Sequence, residues 1–571
     1  MSLAYWLNTA WMWSCRRESR AFHLATQSVA KTQHVVLRDI VSKNANSTFG
    51  RQHDFRSIRS VADLQQRVPL STYAGYSTAI EQISAGRTNV LTVEPIELLE
   101  PTSGTTRGEK LIPYTASLRR QFQRAVAVWI ADVMERRPQI RRGRAYWSIS
   151  PALGPTRITS GGTPIGFDDD AAYLSRMERV FLKHLLVTPP EISRLSSIEN
   201  FRYCTLFHLL AAADLTLLSV WSPTFLTSLL SRLDSWSDRL SDDLRGGRAN
   251  LPDVNEPNVS ECVLTTSCGK ERAKRVGSIL RSNEPLSTKL SRLWPRLDLI
   301  SCWADSTAGT YMNGVRELFP NIAIQPKGLL STEACVSFPL VDRPGAALAL
   351  RSHFFEFIDV SDSKAQEETR LADQLRVGER YELVVTTGGG LYRYRTRDIV
   401  EVVGFENECP LLKFVGRAGR VSDLVGEKVN ESHVSQILQQ VCQTHVVTPE
   451  FAMLVPIASP AGYRLYLEAS NNQHQRMTAM AASILHNVEV GLNQNPHYRY
   501  AVQLGQLQPL DMRIVDGNRL RLWEIYERIL LARGQRAGDI KPTALDSWLG
   551  WDEEFDRASP ASKHSFSPFA E

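Results

Sequence analysis

"LLEPTSGTTRGEKLIPYT", residues 98–115, gathers five Ser or Thr residues, two glycines, an arginine and a lysine between an apolar run and a helical pattern. Ordering such a segment costs conformational entropy, so it is either a slack connection or a loop that an anion holds. Backbone N–H groups cradle phosphate oxygens where glycine lets the chain turn back, and a following helix adds its positive end. Thr102, Ser103, Thr105 and Thr106 supply hydroxyl donors around Gly104, and Lys110 supplies a neutralising charge. The spacing is not that of a Walker P-loop, because Glu109 separates Gly108 from Lys110 and Leu111 stands where a Mg²⁺-binding Ser or Thr would follow. Taken alone, the same composition describes an ordinary solvated connection.

Outward from this loop the chain alternates helix and strand. Phe122, Val126, Trp129, Ile130, Val133 and Met134 fall on one face of a helix directly after it. The runs "AYWSIS" (145–150), "LDLISCW" (297–303) and "IAIQPKG" (322–328) read as buried strands of an α/β arrangement. The segment 381–405 reads as consecutive strands punctuated by glycines. A helical pattern spans Phe22 to about Ser47, and "MSLAYWLNTAWMWSCRRESR" at the start reads as an amphipathic helix, not a signal peptide or anchor. After "FVGRAGRVSDLVGEKVNE" (414–431) the order becomes helix (431–444), strands (450–456 and 463–469) and helix (474–493), which suits a small α+β domain. The expected division is a large N-terminal domain over 1–416, a hinge segment over 417–430 and a small C-terminal domain over 431–571. Exposed polar stretches are expected at 242–261 and, as a disordered tail, from about 552.

Composition excludes several classes. At 571 residues, 43% apolar and 22% charged, the chain is an enzyme-sized globule. A net charge of +5, from 66 basic and 61 acidic residues, gives no polyanion-binding signature, so nucleic acid is not expected as a partner. Eight scattered cysteines without a CxxC point to a reducing cytosol, and twelve histidines with no pair three or four apart give no structural zinc. No membrane association is expected, and the oligomeric state is silent in the sequence.

Three further segments give the loop its context. "KGLLSTEACVSFPL" (327–340) carries Ser331, Thr332 and Glu333; "LYRYRTRDIV" (391–400) ends a β-ribbon in Asp398; "GRAGRVSDLVGEKVNE" precedes the last domain. Together with 102–110 they follow the order and spacing of the adenylate-forming enzymes. "SGGTPIG" (160–166), "WPRLDLISCW" (294–303) and "GLLSTEA" (328–334) narrow this. The chain resembles the Gretchen Hagen family of acyl acid amido synthetases, particularly its bacterial members, from about residue 25 to 545.

The resemblance implies a large adenylate-forming domain of mixed sheets and helices with a smaller, mobile α+β domain. It also implies a reaction: ATP activates a carboxylic acid as its acyl-AMP, and the acyl group passes to an amine, usually an amino acid. A thiol acceptor, or a nucleotide-binding homologue without turnover, stays open at this point. By the resemblance, Thr102 to Thr106 and Lys110 hold the phosphates, Thr332 bonds the α-phosphate beside Ser331, and Glu333 stands near Mg²⁺. Asp398 binds the ribose hydroxyls, Arg417 matches the arginine before the hinge, and Lys428 the basic residue at the domain junction. Lys541, in "GDIKPTAL", matches the lysine brought to the adenylation centre. Arg119, Arg120, Arg124 and Gly162 are candidate contacts to the acid; the arginines are more readily read as solvated helix residues. Three positions depart from the family pattern: Leu329 replaces an aromatic residue, Arg397 a glycine, and Thr543 an arginine.

Overall fold

The apolar face read after the loop folds as the helix Ala116–Arg136, capped by the Thr115 hydroxyl, which accepts from the Leu118 N–H at 3.1 Å. Phe122, Trp129, Ile130, Val133 and Met134 are buried, and each such side chain contributes ~1.5–3 kcal/mol by leaving water. The computed structural model describes residues 2–102, 110–148, 157–166, 184–256, 259–361, 368–518, 520–535, 540–558 and 565–566. The expected first helix runs Leu3–Ala25 and buries Trp11, Met12, Cys15 and Phe22. The single helical pattern expected from Phe22 to Ser47 is instead interrupted after Ala25 and resumes as Val29–Lys43. The break falls at Thr26, whose hydroxyl donates to the His23 carbonyl at 2.7 Å.

The chain divides into two units. The first comprises Met1–Val220, Arg232–Cys302 and Asn321–Phe414; the second comprises Trp221–Ser231, Trp303–Pro320 and Val415–Glu571. Two segments that the sequence places in the large domain therefore belong to the second unit.

In the first unit, β1 (Leu98–Pro101) and β2 (Leu111–Tyr114) form an antiparallel hairpin that continues through β5 (Pro164–Ile165) to β4 (Arg157–Ile158). The expected α/β strands are β3 (Arg144–Trp147), β6 (Leu215–Ser219), β7 (Leu299–Cys302) and β8 (Ala323–Pro326), all parallel in that order. A seven-stranded sheet runs β12-β11-β13-β14-β15-β10-β9. Its strands are β9 (Ser337–Pro339), β10 (Ala346–Leu348), β11 (Phe354–Asp359), β12 (Arg370–Leu371), β13 (Arg380–Thr386), β14 (Tyr394–Glu406) and β15 (Cys409–Arg417). Between β11 and β14 a buried ion pair joins Glu356 to Arg393 at 3.0 Å, with side chains 1% and 5% exposed.

In the second unit, β16 (Val421–Ser422) pairs β17 (Val429–Asn430), and β18 (Phe451–Ala458), β19 (Ala461–Ala469), β20 (Asp511–Asp516) and β21 (Ser565–Phe566) form a four-stranded sheet. The helices Glu431–His445 and Ala481–Leu492 cover it with a shared core of Val434, Ile437, Leu438, Ile484 and Val488. The Trp303–Pro320 segment is fastened to this sheet and helix. Thr307 Oγ1 donates to Glu431 Oε1 at 3.1 Å, and Tyr311 accepts the Ala452 N–H at 3.0 Å.

Two expectations are corrected. Of the tail expected to fray from 552, residues 552–558 instead belong to the helix Trp551–Ala558, with Trp551 and Phe555 fully buried against Tyr526 and Phe451, while 559–564 and 567–571 lie outside the described residues. Only two apolar residues in "WDEEFDRA" carry that docking, too few for a periodicity to register. The polar stretch 242–261 is not all loop: the helix Ser237–Gly246 reaches into it, and Glu256 accepts from the Ser196 and Ser197 N–H groups and from Asn200. A carboxylate gathering donors from a distant helix start orders a segment that composition alone reads as open. Among the described residues no helix is long and apolar enough to cross a membrane, and no disulfide joins the eight cysteines.

One buried acid gives the second unit a pH dependence. Glu468 on β19 is fully buried, and burial, with the charge of Glu450 adding to it, pushes its carboxyl up to about 8. The folded protein therefore keeps a proton that the unfolded chain releases near the ordinary carboxylate value, so stability falls as pH rises from about 4.5 to about 8 and levels off above it. Glu468→Gln is expected to gain stability over the wild type progressively across that interval, as measured by thermal unfolding at pH ~5 and pH ~9. A gap that does not widen with pH would rule out the protonated carboxyl.

Candidate active site

The loop that opened the sequence reading is closed at its base. The Thr102 N–H donates to the Lys110 carbonyl at 2.8 Å, continuing the β1–β2 ladder, and Ser103, Gly104, Thr105 and Thr106 lie outside the described residues. Lys110 holds its ammonium 5.7 Å from the Tyr73 ring, and Tyr73 accepts the Leu111 N–H at 2.9 Å. The Thr102 hydroxyl is buried without a hydrogen-bond partner among the described residues, the situation of a group awaiting an acceptor from a ligand.

Ser331, Thr332 and Glu333 form a tight turn. The Ser331 N–H donates to the Ala334 carbonyl at 3.0 Å, the Ala334 N–H returns to Ser331 Oγ at 3.2 Å, and a bridge between Leu330 and Cys335 closes it. Tyr114, at the end of β2, donates to the Thr332 carbonyl at 2.7 Å. The β1–β2 hairpin and the Thr-Glu turn, 218 residues apart in sequence, are thus joined directly. Glu333 is 4% exposed, with Tyr394 Oη 3.5 Å from its Oε1. Leu329, where the family pattern has an aromatic residue, packs against the apolar core.

Asp398 owes its place to a bulge. Glu382 pairs with Ile399 and Val384 with Arg395, so four steps on β14 face two on β13, and the surplus projects from the sheet. Within it Arg397 adopts φ +69°, the left-handed conformation that glycine takes without strain. The family's glycine at this point is explained by that backbone. The Arg397 side chain is 44% exposed and 3.7 Å from Glu382, a separation at which an exposed pair contributes little. Because Arg397→Ala and Arg397→Gly lose the same charge, their difference isolates the backbone. The glycine variant is expected to be the more stable by about 1 kcal/mol in denaturant unfolding, and equal stability would contradict a left-handed residue 397. Asp398 itself is 7% exposed, and its N–H donates to Thr396 Oγ1 at 3.1 Å.

The arginines of the 116–136 helix are engaged with the protein. Arg119 pairs with Glu97, Arg120 with Glu94 at 3.2 Å, and Arg124 donates to the Arg351 carbonyl at 2.9 Å. Gly162 sits at φ +85° in the turn between β4 and β5, where a Cβ would meet nothing within 4 Å.

In the second unit, Arg417 ends β15 half-buried. Lys428 is exposed at φ +48° after a loop gathered by Glu427, which accepts the Leu424 and Val425 N–H groups at 2.8 Å each. Lys541 lays its ammonium 3.5 Å from the centroid of the Trp303 ring, a cation–π contact inside the second unit. The neighbouring Thr543 is buried, 2.8 Å from the Leu545 carbonyl and 3.1 Å from Glu431 Oε1. An arginine there would bury a charge beside the core, so this departure has a packing reason.

Several residues of the site gave no sequence signal of their own. Tyr114 and His353 are lone polar residues beside apolar ones, Gln121 sits among helix arginines, and Tyr394 stands between two arginines of the 391–400 segment. The "GGG" at 388–390 was the one cue: at Gly388 a Cβ would stand 2.9 Å from Ser117 Cβ and 3.1 Å from Gln121 Oε1. His353 is fully buried, and burial holds its imidazole down to about 3, so the ring is neutral.

Comparison with known proteins bears on the whole arrangement. The GH3 family N-terminal domain matches residues 18–324, the GH3 family central domain 346–417 and the GH3 family C-terminal domain 431–546. The chain is similar to the probable indole-3-acetic acid-amido synthetase GH3.1 of Oryza sativa subsp. japonica, 24% identical and covering 86% of this chain and 83% of the relative. It is also similar to the indole-3-acetic acid-amido synthetase GH3.10 of Arabidopsis thaliana, 24% identical over 87% and 89% of the two chains. Among solved structures, AtGH3.15 acyl acid amido synthetase in complex with 2,4-DB superposes with a TM-score of 0.81 at 19% identity, over 97% and 96% of the two chains. 2-Hydroxyisobutyryl-CoA ligase, bound to 2-HIB-AMP, shares the fold at a TM-score of 0.51, 12% identity and 93% and 91% coverage.

Proposed function

This chain belongs to the GH3 family, and from that premise we propose that it is an ATP-dependent acyl acid amido synthetase that adenylates a carboxylic acid and transfers the acyl group to an amine. A carboxylate at neutral pH is a poor electrophile; the mixed anhydride with AMP gives it a leaving group, and an amino-acid amine then attacks. The observation that carries the reading is the Tyr114 bond to the Thr332 carbonyl, which holds the phosphate-loop hairpin and the Thr-Glu turn as one surface.

In this reading Thr102 and Lys110, with Ser103, Gly104, Thr105 and Thr106 of the loop, bind the phosphates, and their fixed donors stabilise charge that develops as pyrophosphate departs. The partnerless hydroxyl of Thr102 supports this. Thr332, beside Ser331, faces the α-phosphate, and Asp398, lifted out of the sheet by its bulge, accepts from the ribose hydroxyls. Arg417, Lys428 and Lys541 are the cations proposed for the nucleotide and the adenylation step. Glu333 suits Mg²⁺, which binds through one or two carboxylates together with substrate phosphates and water; no cluster of three or more ligating side chains occurs among the described residues. When bound, that ion supplies positive charge to the phosphate oxygens.

Finer points belong to the same proposal. Eight cysteines without a disulfide and the lack of any CxxC support a reducing cytosol. The segments "SGGTPIG" and "WPRLDLISCW" support placement among bacterial members, although the relatives compared here are plant proteins.

The test is acid-dependent pyrophosphate release from Mg·ATP across aromatic, indolic and fatty acids, with amino acids or coenzyme A added separately. AMP and an amide formed only when an acid meets an amine support the proposal. A thioester in place of the amide, or no release with any acid, overturns it.

A further inference from the structure

The Thr332–Glu333 turn is held at a second point by a buried imidazole. The Cys335 N–H, two residues beyond Glu333, donates to His353 Nε2 at 3.1 Å. His353 Nδ1 lies 3.1 Å from Gln121 Oε1, which also accepts the Gly388 N–H at 2.8 Å. A backbone N–H can only donate, so it fixes which end of the Gln121 amide is oxygen; that oxygen requires the ring proton on Nδ1, leaving Nε2 as the acceptor. Every partner is consistent with one neutral tautomer.

The ring has little freedom. Phe122 and Phe355 meet it edge-on at 5.8 and 5.9 Å, and Gln33 donates to the His353 carbonyl at 2.9 Å while accepting the Phe355 N–H at 2.8 Å. His353 thus ties together the Thr-Glu turn, the helix that follows the phosphate loop, and the glycine turn ahead of β14.

We propose that His353 is a positioning residue for adenylation, fixing Glu333 and Thr332 through the Cys335 N–H so that the groups facing the α-phosphate are set before the nucleotide arrives. This rests on the reading of Thr332 and Glu333 given above. Tyr114 restrains the turn at the Thr332 carbonyl and His353 restrains it at the Cys335 N–H. Releasing one end lets the intervening Glu333 shift, and a shift of about 1 Å at such a group costs on the order of 10²-fold in rate.

The experiment compares His353→Leu with His353→Gln, which retains an acceptor and a donor on a flexible chain. For each, kcat and the KM values for ATP and acid are measured by pyrophosphate release, with the folded fraction checked by circular dichroism. Calorimetry follows the binding of ATP with and without Mg²⁺. Leucine is expected to lower kcat ~10–100-fold at an unchanged folded fraction, to leave the KM for acid within about twofold, and to weaken Mg·ATP binding more than metal-free ATP binding. Glutamine is expected to restore a substantial part of both losses. A folded leucine variant with wild-type kcat, or equal loss in both variants, overturns the proposal. Should the leucine variant not fold, Gln121→Asn, which withdraws the oxygen facing Nδ1, carries the test: wild-type kcat and Mg·ATP affinity there overturn the proposal. Glu333→Gln run in parallel separates the two levels. Wild-type activity in that variant refutes the reading of the turn itself, whereas loss in that variant alone refutes only the role of His353.

Discussion

Glu333→Gln is expected to lower acid-dependent pyrophosphate release ~10²–10³-fold while leaving the folded protein at least as stable as the wild type. The two effects have opposite signs because the carboxylate is 4% exposed, with Tyr394 Oη standing 3.5 Å from one oxygen. Holding a charge there is costly for the fold, and an isosteric amide removes that cost. A residue retained against the interest of stability is one retained for chemistry. Pyrophosphate release and thermal unfolding on the same preparation decide it. Loss of activity together with a large drop in unfolding temperature would make Glu333 a structural acid.

Glu356→Ala is expected to destabilise the first unit by about 3–5 kcal/mol. Arg393 would keep its guanidinium in a site where the side chain is 5% exposed, with the Val68 carbonyl at 2.8 Å, the Gln65 carbonyl at 3.2 Å and the Thr369 hydroxyl at 3.4 Å as remaining acceptors. Neutral carbonyls do not balance a buried cation. Thr369, which donates to Glu356 at 2.6 Å, loses its acceptor as well, and Gln65, 3.1 Å from the same oxygen, is left with the Thr369 hydroxyl at 3.0 Å. Denaturant unfolding measures the loss, and the double variant Glu356→Leu with Arg393→Met is expected to recover part of it, since replacing both charges leaves none buried. A loss under about 1 kcal/mol for the single variant would mean that water reaches the site.

The elements with strong periodicity were legible in the sequence. The face Phe122 to Met134, the parallel strands around Trp147, Leu299 and Ala323, and the ribbon at 381–405 each follow from a pattern that burial imposes locally. Resemblance, and no local pattern, singled out the Thr-Glu turn and Asp398, and the bulge supplies a physical reason for the second: a left-handed Arg397 occupies the place of a glycine. What stayed hidden depends on contacts between distant segments. No window of sequence joins Gln121, His353 and Gly388, or Glu356 to Arg393, because a buried hydrogen bond needs only one residue on each side. The helix at 551–558 was missed for a related reason: its anchoring is two aromatic rings in an acidic segment.

The membership of Trp303–Pro320 in the second unit bears on modularity. Sequence families are often recombined at their apparent borders, and a border near 417 invites exchange of the C-terminal portion as a cassette. A transplanted 415–571 would leave behind Thr307 and Tyr311, and with them the partners of Glu431 and of the Ala452 backbone on β18. It would also arrive without the indole on which Lys541 rests. Chimaeras within this family, whether natural or designed, should therefore be inherited as three separated stretches that travel together, and substitutions at 303–320 should covary with those around 431–452 and 541–545.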